Sequence, residues 1–438
     1  MSESLVRAEA IQEPVPTLPA KVLQRLGPGL ITGAADDDPS GIATYSQVGA
    51  QFGFGMLWTM LFSFPLMAAM QEICGRLGRV TGKGIAGSMR GHYPKPLLYA
   101  LVALLCLANI FNLGADVTAM GAAAQLVFHG RVGAYVLMFG AVSLFLQIYV
   151  PYRKYVRYLK WLTLVLFAYV ATAFVVHVPW STALRSTFIP SVTWSTGYWM
   201  ALVAVLGTTI SPYLFFWQTS EEAEDVNLNK DEKPLKKKPS QAFEQFRRIA
   251  IDTRVGMGFS NVVAFFIILT TAVTLHVADA GRAINTSADA AKALQPLAGN
   301  LAFLLFALGI IGTGLLAIPI LAGSAAYAVA ETFQWQASLE SKPQQAPRFY
   351  LVLAAATILG ISLYFVGLDP IRALFWSAVI NGVVAVPLMA MLMVMSANKA
   401  IVGKFLLPTY LRVIGWSATI VMFLASLAFL VSGLGGLL

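Results

Sequence analysis

Gly33-Ala34-Ala35-Asp36-Asp37-Asp38-Pro39-Ser40-Gly41 lies in the middle of an apolar stretch spanning about residues 27–53. An aspartate at the centre of a membrane helix costs roughly 2.5–3.5 kcal/mol on insertion scales, so three facing lipid would be hard to tolerate. Pro39 removes a backbone donor and Gly41 relaxes the chain. The segment therefore reads as a spanning helix interrupted by an unwound stretch, whose freed carbonyls can face a cavity or an ion. Asp38, beside the break, is read as a cation ligand, and Asp37 and the Gly41 backbone are candidates with it. Asp36 and Asp37 have another reading, as caps of the following half-helix or as residues of a watery vestibule.

The rest of the chain agrees with a lipid solvent. Of 438 residues, 58% are hydrophobic and only 12% are charged. Soluble domains carry about 25% charged residues. In lipid each backbone polar group must be satisfied internally, which makes a helical bundle the default. Eleven candidate spans follow, at about 27–53, 54–77, 96–128, 132–150, 155–177, 196–220, 253–277, 298–332, 349–367, 370–396 and 409–435. The third and eighth are long enough to tilt or to extend beyond the bilayer. Residues 1–26 hold no apolar run and read as a cytoplasmic tail.

The net charge is +9. The basic residues lie between apolar spans, so they report membrane orientation rather than a nucleic-acid partner. With the N-terminus cytoplasmic, the inside segments hold 25 Lys and Arg and the outside segments hold five, which are Arg131, Arg185, Arg282, Lys292 and Arg372. That split predicts an inner-membrane protein with its C-terminus outside. The loop at 226–247, with Lys236, Lys237 and Lys238, is a solvated internal loop or a contact for anionic lipid.

A second break lies at Gly207-Thr208-Thr209-Ile210-Ser211-Pro212-Tyr213, in the sixth span. Thr208 and Ser211 supply hydroxyls there, and carbonyls freed by Pro212 suit a hard cation. The plain alternative is a proline kink satisfied by hydroxyl back-bonding. Interrupted helices at corresponding positions of two halves point to a transporter site. Spans 1 and 6 are five apart, as an inverted five-plus-five repeat requires. Repeat one would cover about 27–177, repeat two about 196–396, and an extra helix about 409–435.

Further polar residues fall on the same map. Ser211, Gln218 and Glu222 share one helix face running toward Glu221, Glu224 and Asp225. That acidic end is an exit path or a solvated helix terminus. Asn112 and Asp116 sit four apart in span 3, where an intramembrane acid is a functional candidate by default. Asn381 in span 10 offers an oxygen ligand or an interhelical hydrogen bond. The small-residue run Ala317–Tyr327 in span 8 reads as close packing.

At these residues the chain resembles the NRAMP family of divalent metal transporters. Gly27-Pro28-Gly29 resembles the family's opening, Asp38-Pro39-Ser40-Gly41 falls where the family has Asp-Pro-Gly-Asn, and Ala317–Glu331 is also close. The resemblance implies an all-α polytopic protein of the LeuT-like fold with a metal site between spans 1 and 6. It also implies proton-coupled uptake, with the divalent cation as substrate rather than cofactor. Several positions depart from the pattern. Gly41 replaces an Asn ligand. The family's Ala-x-x-Met falls on Thr208 to Ser211, so a hydroxyl replaces the thioether. The family's histidines fall on Tyr213 and Gln218, and its acidic pair in span 3 is matched only by the offset Asp116. The sequence is thus similar to a divergent branch that accepts magnesium. Carboxylate, carbonyl and hydroxyl oxygens suit Mg²⁺ or Mn²⁺, whereas a thioether suits softer ions. Weak or absent proton coupling is expected.

Other classes fare worse. An amino-acid or organic-cation transporter on the same fold would meet an aspartate triplet at the break, which disfavours a carboxylate ligand. An intramembrane enzyme needs a nucleophile with a base, or His and Glu at metal-ligand spacing. Neither is present. A non-transporting sensor or scaffold has no soluble signalling domain to point to.

Overall fold

The computed structural model describes residues 32–33, 35–151, 159, 161–228, 232–277 and 284–435. The tail at 1–26 and the opening Gly27-Pro28-Gly29 lie outside the described residues. Among those residues the regular structure is helical, apart from an isolated bridge between Arg90 and Tyr93.

Both interruptions are present. Residues 32, 33, 35 and 36 are helical, Asp37 and Asp38 are not, and helix α1 starts at Pro39 (Pro39–Phe52). Proline suits this first position because its missing N–H would be unpaired there anyway. Asp38 is the N-cap, and its side chain accepts from the Gly41 amide. This corrects the expectation in two respects. Asp38 caps the half-helix, rather than Asp36 or Asp37, and Gly41 lies inside its first turn rather than in the unwound stretch. In the sixth span, helix α2 (Thr196–Thr209) stops, Ile210 and Ser211 leave the helical pattern, and α3 (Pro212–Leu228) resumes at a proline.

The remaining long helices are α4 (Trp58–Thr81), α5 (Lys95–Phe128), α6 (Val132–Tyr149), α7 (Ala242–Thr271), α8 (Ala302–Phe333), α9 (Pro347–Ser362), α10 (Pro370–Ala397) and α11 (Thr409–Gly435). Among the described residues, eight helices are long and apolar enough to cross a membrane, or nine with the bent pair Pro39–Met56 and Trp58–Thr81, which turns through 109°. Eleven spans were expected. The bent pair corresponds to the first two, and the fifth is represented by Leu162–Val175 alone. The count of described helices is lower for two reasons. Trp58–Thr81 carries Glu72, Arg76 and Arg79, and parts of the first and fifth spans lie outside the described residues.

Buried side chains from α1, α2, α3, α5, α8 and α10 form a continuous core. α8 lies along α5, and α2 crosses α10. At that crossing a Cβ added to Gly207 would fall 2.1 Å from the Ala378 carbonyl oxygen. Only glycine permits this approach, three residues before the second break. The small residues of α8 pack as the sequence suggests, and Gly314 and Gly323 abut Met120 and Trp217.

The loops gather at two ends. At one end Gly84 donates to Glu331, Arg90 to the Thr332 carbonyl, Asn398 to Tyr93 and Lys236 to the Ala400 carbonyl. At the other end Ser191 donates to the Gly55 carbonyl, and the Ile284 amide to Gln47. The first end carries Lys236, Lys237 and Lys238 and is called the basic end below.

Candidate functional site

The two breaks face each other. The Tyr213 hydroxyl, one residue past Pro212, donates to the Ala35 carbonyl at 3.1 Å and lies 3.4 Å from Asp38 Oδ2. Asp38 is 2% exposed. Its Oδ1 accepts from the Gly41 amide at 2.7 Å, and Oδ2 accepts from Asn112 Nδ2 at 3.0 Å. Asn112 is held in turn, because Ser377 donates to its Oδ1 at 2.5 Å and Ser40 lies 2.7 Å from Ser377. A chain of polar contacts thus links α1, α5 and α10 to one carboxylate.

Oxygens converge beside that carboxylate. The point where a Gly41 Cβ would stand lies 3.0 Å from Thr208 Oγ1, 3.3 Å from the Asp36 carbonyl and 3.4 Å from Asp38 Oδ1. The missing side chain therefore leaves a small space bounded by a hydroxyl, a carbonyl and a carboxylate. All three are hard oxygen donors. Ser211 plays a different local part. Its hydroxyl donates back to the Gly207 and Thr208 carbonyls at 3.0 and 2.8 Å, the back-bonding alternative noted above. Its oxygen keeps acceptor capacity.

The three aspartates separate. Ser260 of α7 donates to Asp36 Oδ2 at 2.6 Å and reaches Asp37 Oδ1 at 3.0 Å. Asp36 Oδ1 and Asp37 Oδ2 are buried without a hydrogen-bond partner. Asp36 and Asp37 thus share a serine on α7, while Asp38 joins α5 and α3. Among the described residues, no group of three His, Cys, Asp or Glu side chains is arranged to hold a metal. Any ion here must draw on carbonyls and hydroxyls as well.

Asp116 lies one turn from Asn112, fully buried, with neither carboxylate oxygen hydrogen-bonded. Asn381 lies one turn past Ser377, and its Oδ1 is likewise unpaired. Neither makes a hydrogen bond to Asp38. Gln218 accepts from Thr32 at 2.6 Å, which ties the first half of span 1 to α3.

The acidic end of α3 is only partly solvated, with Glu222 and Glu224 buried and Asp225 34% exposed. Glu222 is 0% exposed and accepts from Arg79 Nε at 2.9 Å and from Arg248 at 2.6 Å. Arg79 is itself buried and also pairs with Asp225 and Glu232. Glu224 accepts from Ser338 at 2.6 Å and from Tyr327. These carboxylates are paired in ion and hydrogen-bond networks, so they form a closed end rather than an open acidic path.

Sequence reasoning missed Thr32, Ser40, Ser260, Ser377 and Arg79 as parts of these networks. A hydroxyl in an apolar span was the available signal for the first four. Arg79 carried a stronger one, being a cation at the end of a largely apolar helix.

The fold and site define a class: a multi-pass helical membrane protein with a polar centre between two broken helices. The sequence matches the family described as Natural resistance-associated macrophage protein-like over residues 29–432, and the chain belongs to that family. A divalent metal cation transporter, MntH, of Yersinia enterocolitica is 24% identical over 422 residues, covering 94% of this chain and 95% of the relative. The crystal structure of an Eremococcus coleocola manganese transporter has a TM-score of 0.71 at 18% identity, covering 98% of this chain and 90% of that one. The nucleobase-cation-symport-1 family transporter Mhp1, in a closed conformation, has a TM-score of 0.58 at 12% identity and covers 93% and 92%. These likenesses establish the shared transporter fold, as the resemblance implied.

Proposed function

We propose that the protein is a secondary transporter for divalent metal cations, with Mn²⁺ or Mg²⁺ favoured. It would work by alternating access around the space between Asp38, Gly41 and Thr208. The observation that carries this reading is the convergence of Thr208 Oγ1, the Asp36 carbonyl and Asp38 Oδ1 on the position of the absent Gly41 side chain. Hard cations take oxygen ligands, and Mg²⁺ keeps several waters when bound. The oxygens that converge there are of the hard type such ions take. Asp38 would supply the charge, Asn112 would orient it, and Thr208 and Ser211 would add neutral oxygens. The metal is the substrate, and no resident cofactor is needed. The charge distribution favours a cytoplasmic N-terminus and an external C-terminus. The two breaks favour an inverted repeat of about 27–177 and 196–396.

Proton coupling is expected to be weak. Asp116 is the one buried acid near the site in α5, and it makes no hydrogen bond to Asp38. The test is ion flux into proteoliposomes with Mn²⁺, Mg²⁺ and Cd²⁺ and an internal pH dye, beside Asp38→Ala. Asp38-dependent Mn²⁺ or Mg²⁺ uptake without acidification is the expected result. Robust Cd²⁺ uptake with acidification would overturn the hard-cation, uncoupled reading. An absence of flux with all three metals would favour an organic substrate instead.

A further inference from the structure

At the basic end, the wall between the start of α5 and the end of α8 holds a cavity of about 490 Å³. It is far in sequence from both breaks and takes no part in the site described above. Arg90, His92 and Lys95 line it, together with Tyr93, Tyr99 and Phe333. The Arg90 guanidinium is anchored by one bond, to the Thr332 carbonyl at 2.5 Å. A guanidinium has five N–H donors, so most remain to be used. His92 Nδ1 lies 3.1 Å from the Ser88 carbonyl, which leaves Nε2 for another partner. Lys95 is exposed at the first position of α5.

The carboxylate nearest in sequence is already engaged. Glu331 accepts from the Gly84 and Gly87 amides at 2.7 and 2.9 Å. The cavity therefore offers concentrated positive charge with that acid occupied elsewhere.

Its surroundings place it at a membrane boundary. Tyr99 stacks on Phe333 at 6.0 Å and Phe333 on Trp335 at 5.1 Å, and the Arg348 guanidinium lies 5.4 Å above the Trp335 ring. Aromatic rings with nearby Lys and Arg are characteristic of the headgroup level. Two of the cavity's own lining rings, Tyr99 and Phe333, are 46% and 51% exposed and give it an apolar border. A ligand in this cavity meets cations at one end and an exposed hydrocarbon-matching surface at the other.

We propose that this cavity binds the phosphodiester headgroup of an anionic phospholipid. Arg90 and Lys95 pair with the phosphate, His92 and Tyr93 border it, and the acyl chains leave over Tyr99 and Phe333. Basic pockets between membrane helices recognise anionic headgroups in this way. A free phosphate would use the same cations but not the apolar border. The inference rests on membrane embedding alone and not on which ion is transported.

The experiment is native mass spectrometry of the full-length protein after delipidation and titration with phosphatidylglycerol or phosphatidylcholine. A parallel arm measures thermal stabilisation by phosphatidylglycerol and by inorganic phosphate. Wild type should retain phosphatidylglycerol preferentially and be stabilised by it, with little response to inorganic phosphate. Lys95→Gln and His92→Gln, which leave the Arg90–Thr332 bond intact, should lower retention, by about fivefold for the lysine charge. A Lys236, Lys237 and Lys238 triple Gln variant, at the same end but outside the cavity, should lose less phosphatidylglycerol than Lys95→Gln, although it removes three charges. Equal retention of both lipids would overturn the proposal. Stabilisation by inorganic phosphate equal to that by the lipid would also do so, as would equal loss in the loop variant.

Discussion

Thr32 Oγ1 donates to Gln218 Oε1 at 2.6 Å, joining the half-helix before the first break to the half-helix after the second. Both residues are 0% exposed. A buried hydrogen bond of this kind contributes about 1 kcal/mol net, with further cost when one partner is left unpaired. The two halves that it joins are the pieces that must part if the site opens toward the basic end. Thr32→Val, which keeps the shape and removes the donor, should raise opening about fivefold. Hydrogen exchange over residues 32–37 and 212–226 reads this directly. Exchange rates equal to those of wild type would mean that the bond does not restrain the closed end.

Arg79 makes the opposite kind of contact, a charge cluster rather than a single neutral bond. It is 1% exposed and pairs with Glu222, Asp225 and Glu232. Removing one partner of a buried pair costs about 3–5 kcal/mol, because the remaining charge stays buried without compensation. Arg79→Ala should therefore lower the melting temperature in detergent markedly. The paired replacement Arg79→Met with Glu222→Met should recover part of that loss, since the two fully buried charges go together and only the partly exposed Asp225, Glu232 and Arg248 lose a partner. A double variant as unstable as Arg79→Ala would show that the cost is lost packing rather than charge.

The two breaks are legible in the sequence because proline and clustered polar residues have local consequences. Pro39 and Pro212 each begin a half-helix, and no tertiary knowledge is needed to expect that. The division among the three aspartates is not legible. It depends on Ser260, more than 220 residues away, packing against Asp36 and Asp37, and on Asn112 reaching Asp38. Position beside the break marks out Asp38 in the sequence, and helix packing shows what separates it from Asp36 and Asp37. The surroundings of Glu222 are hidden in the sequence for the same reason. Its helix face pointed to an acidic surface, but Arg79, 143 residues earlier, folds over it.

Asn112 is expected to act on Asp38 by positioning it. It donates to Asp38 Oδ2 while accepting from Ser377, so its amide is fixed from both sides. Asn112→Ala should leave the carboxylate in place but freer to rotate. The expected outcome is a weaker apparent affinity for Mn²⁺, by about tenfold, which corresponds to one charge-assisted hydrogen bond. The maximal uptake rate should change less than the affinity. Ser377→Ala should do the same to a smaller extent, because it removes one restraint on Asn112 and leaves its donor intact. Concentration-dependent uptake in proteoliposomes separates the two quantities. An unchanged affinity in Asn112→Ala would remove Asn112 from the site.

Gly207 ties the second break to the bundle through packing alone. An added Cβ would meet the Ala378 carbonyl oxygen at 2.1 Å and the Gly382 amide nitrogen at 2.4 Å. Both are backbone atoms of α10, so no side chain can swing aside to relieve the contact. Overpacking a tight interior costs about 1–3 kcal/mol and shifts the backbone. Gly207→Ala should therefore push α2 away from α10 and carry Thr208 with it. Folded yield and melting temperature should fall, and the surviving protein should take up Mn²⁺ more slowly than its folded fraction accounts for. Gly258→Ala serves as the comparison, because its nearest neighbour, the Phe64 ring at 3.5 Å, is an ordinary contact. That variant should match wild type in both measurements. Equal behaviour of the two variants would mean that α2 and α10 can separate without cost, and that the second break is held by something other than their close crossing.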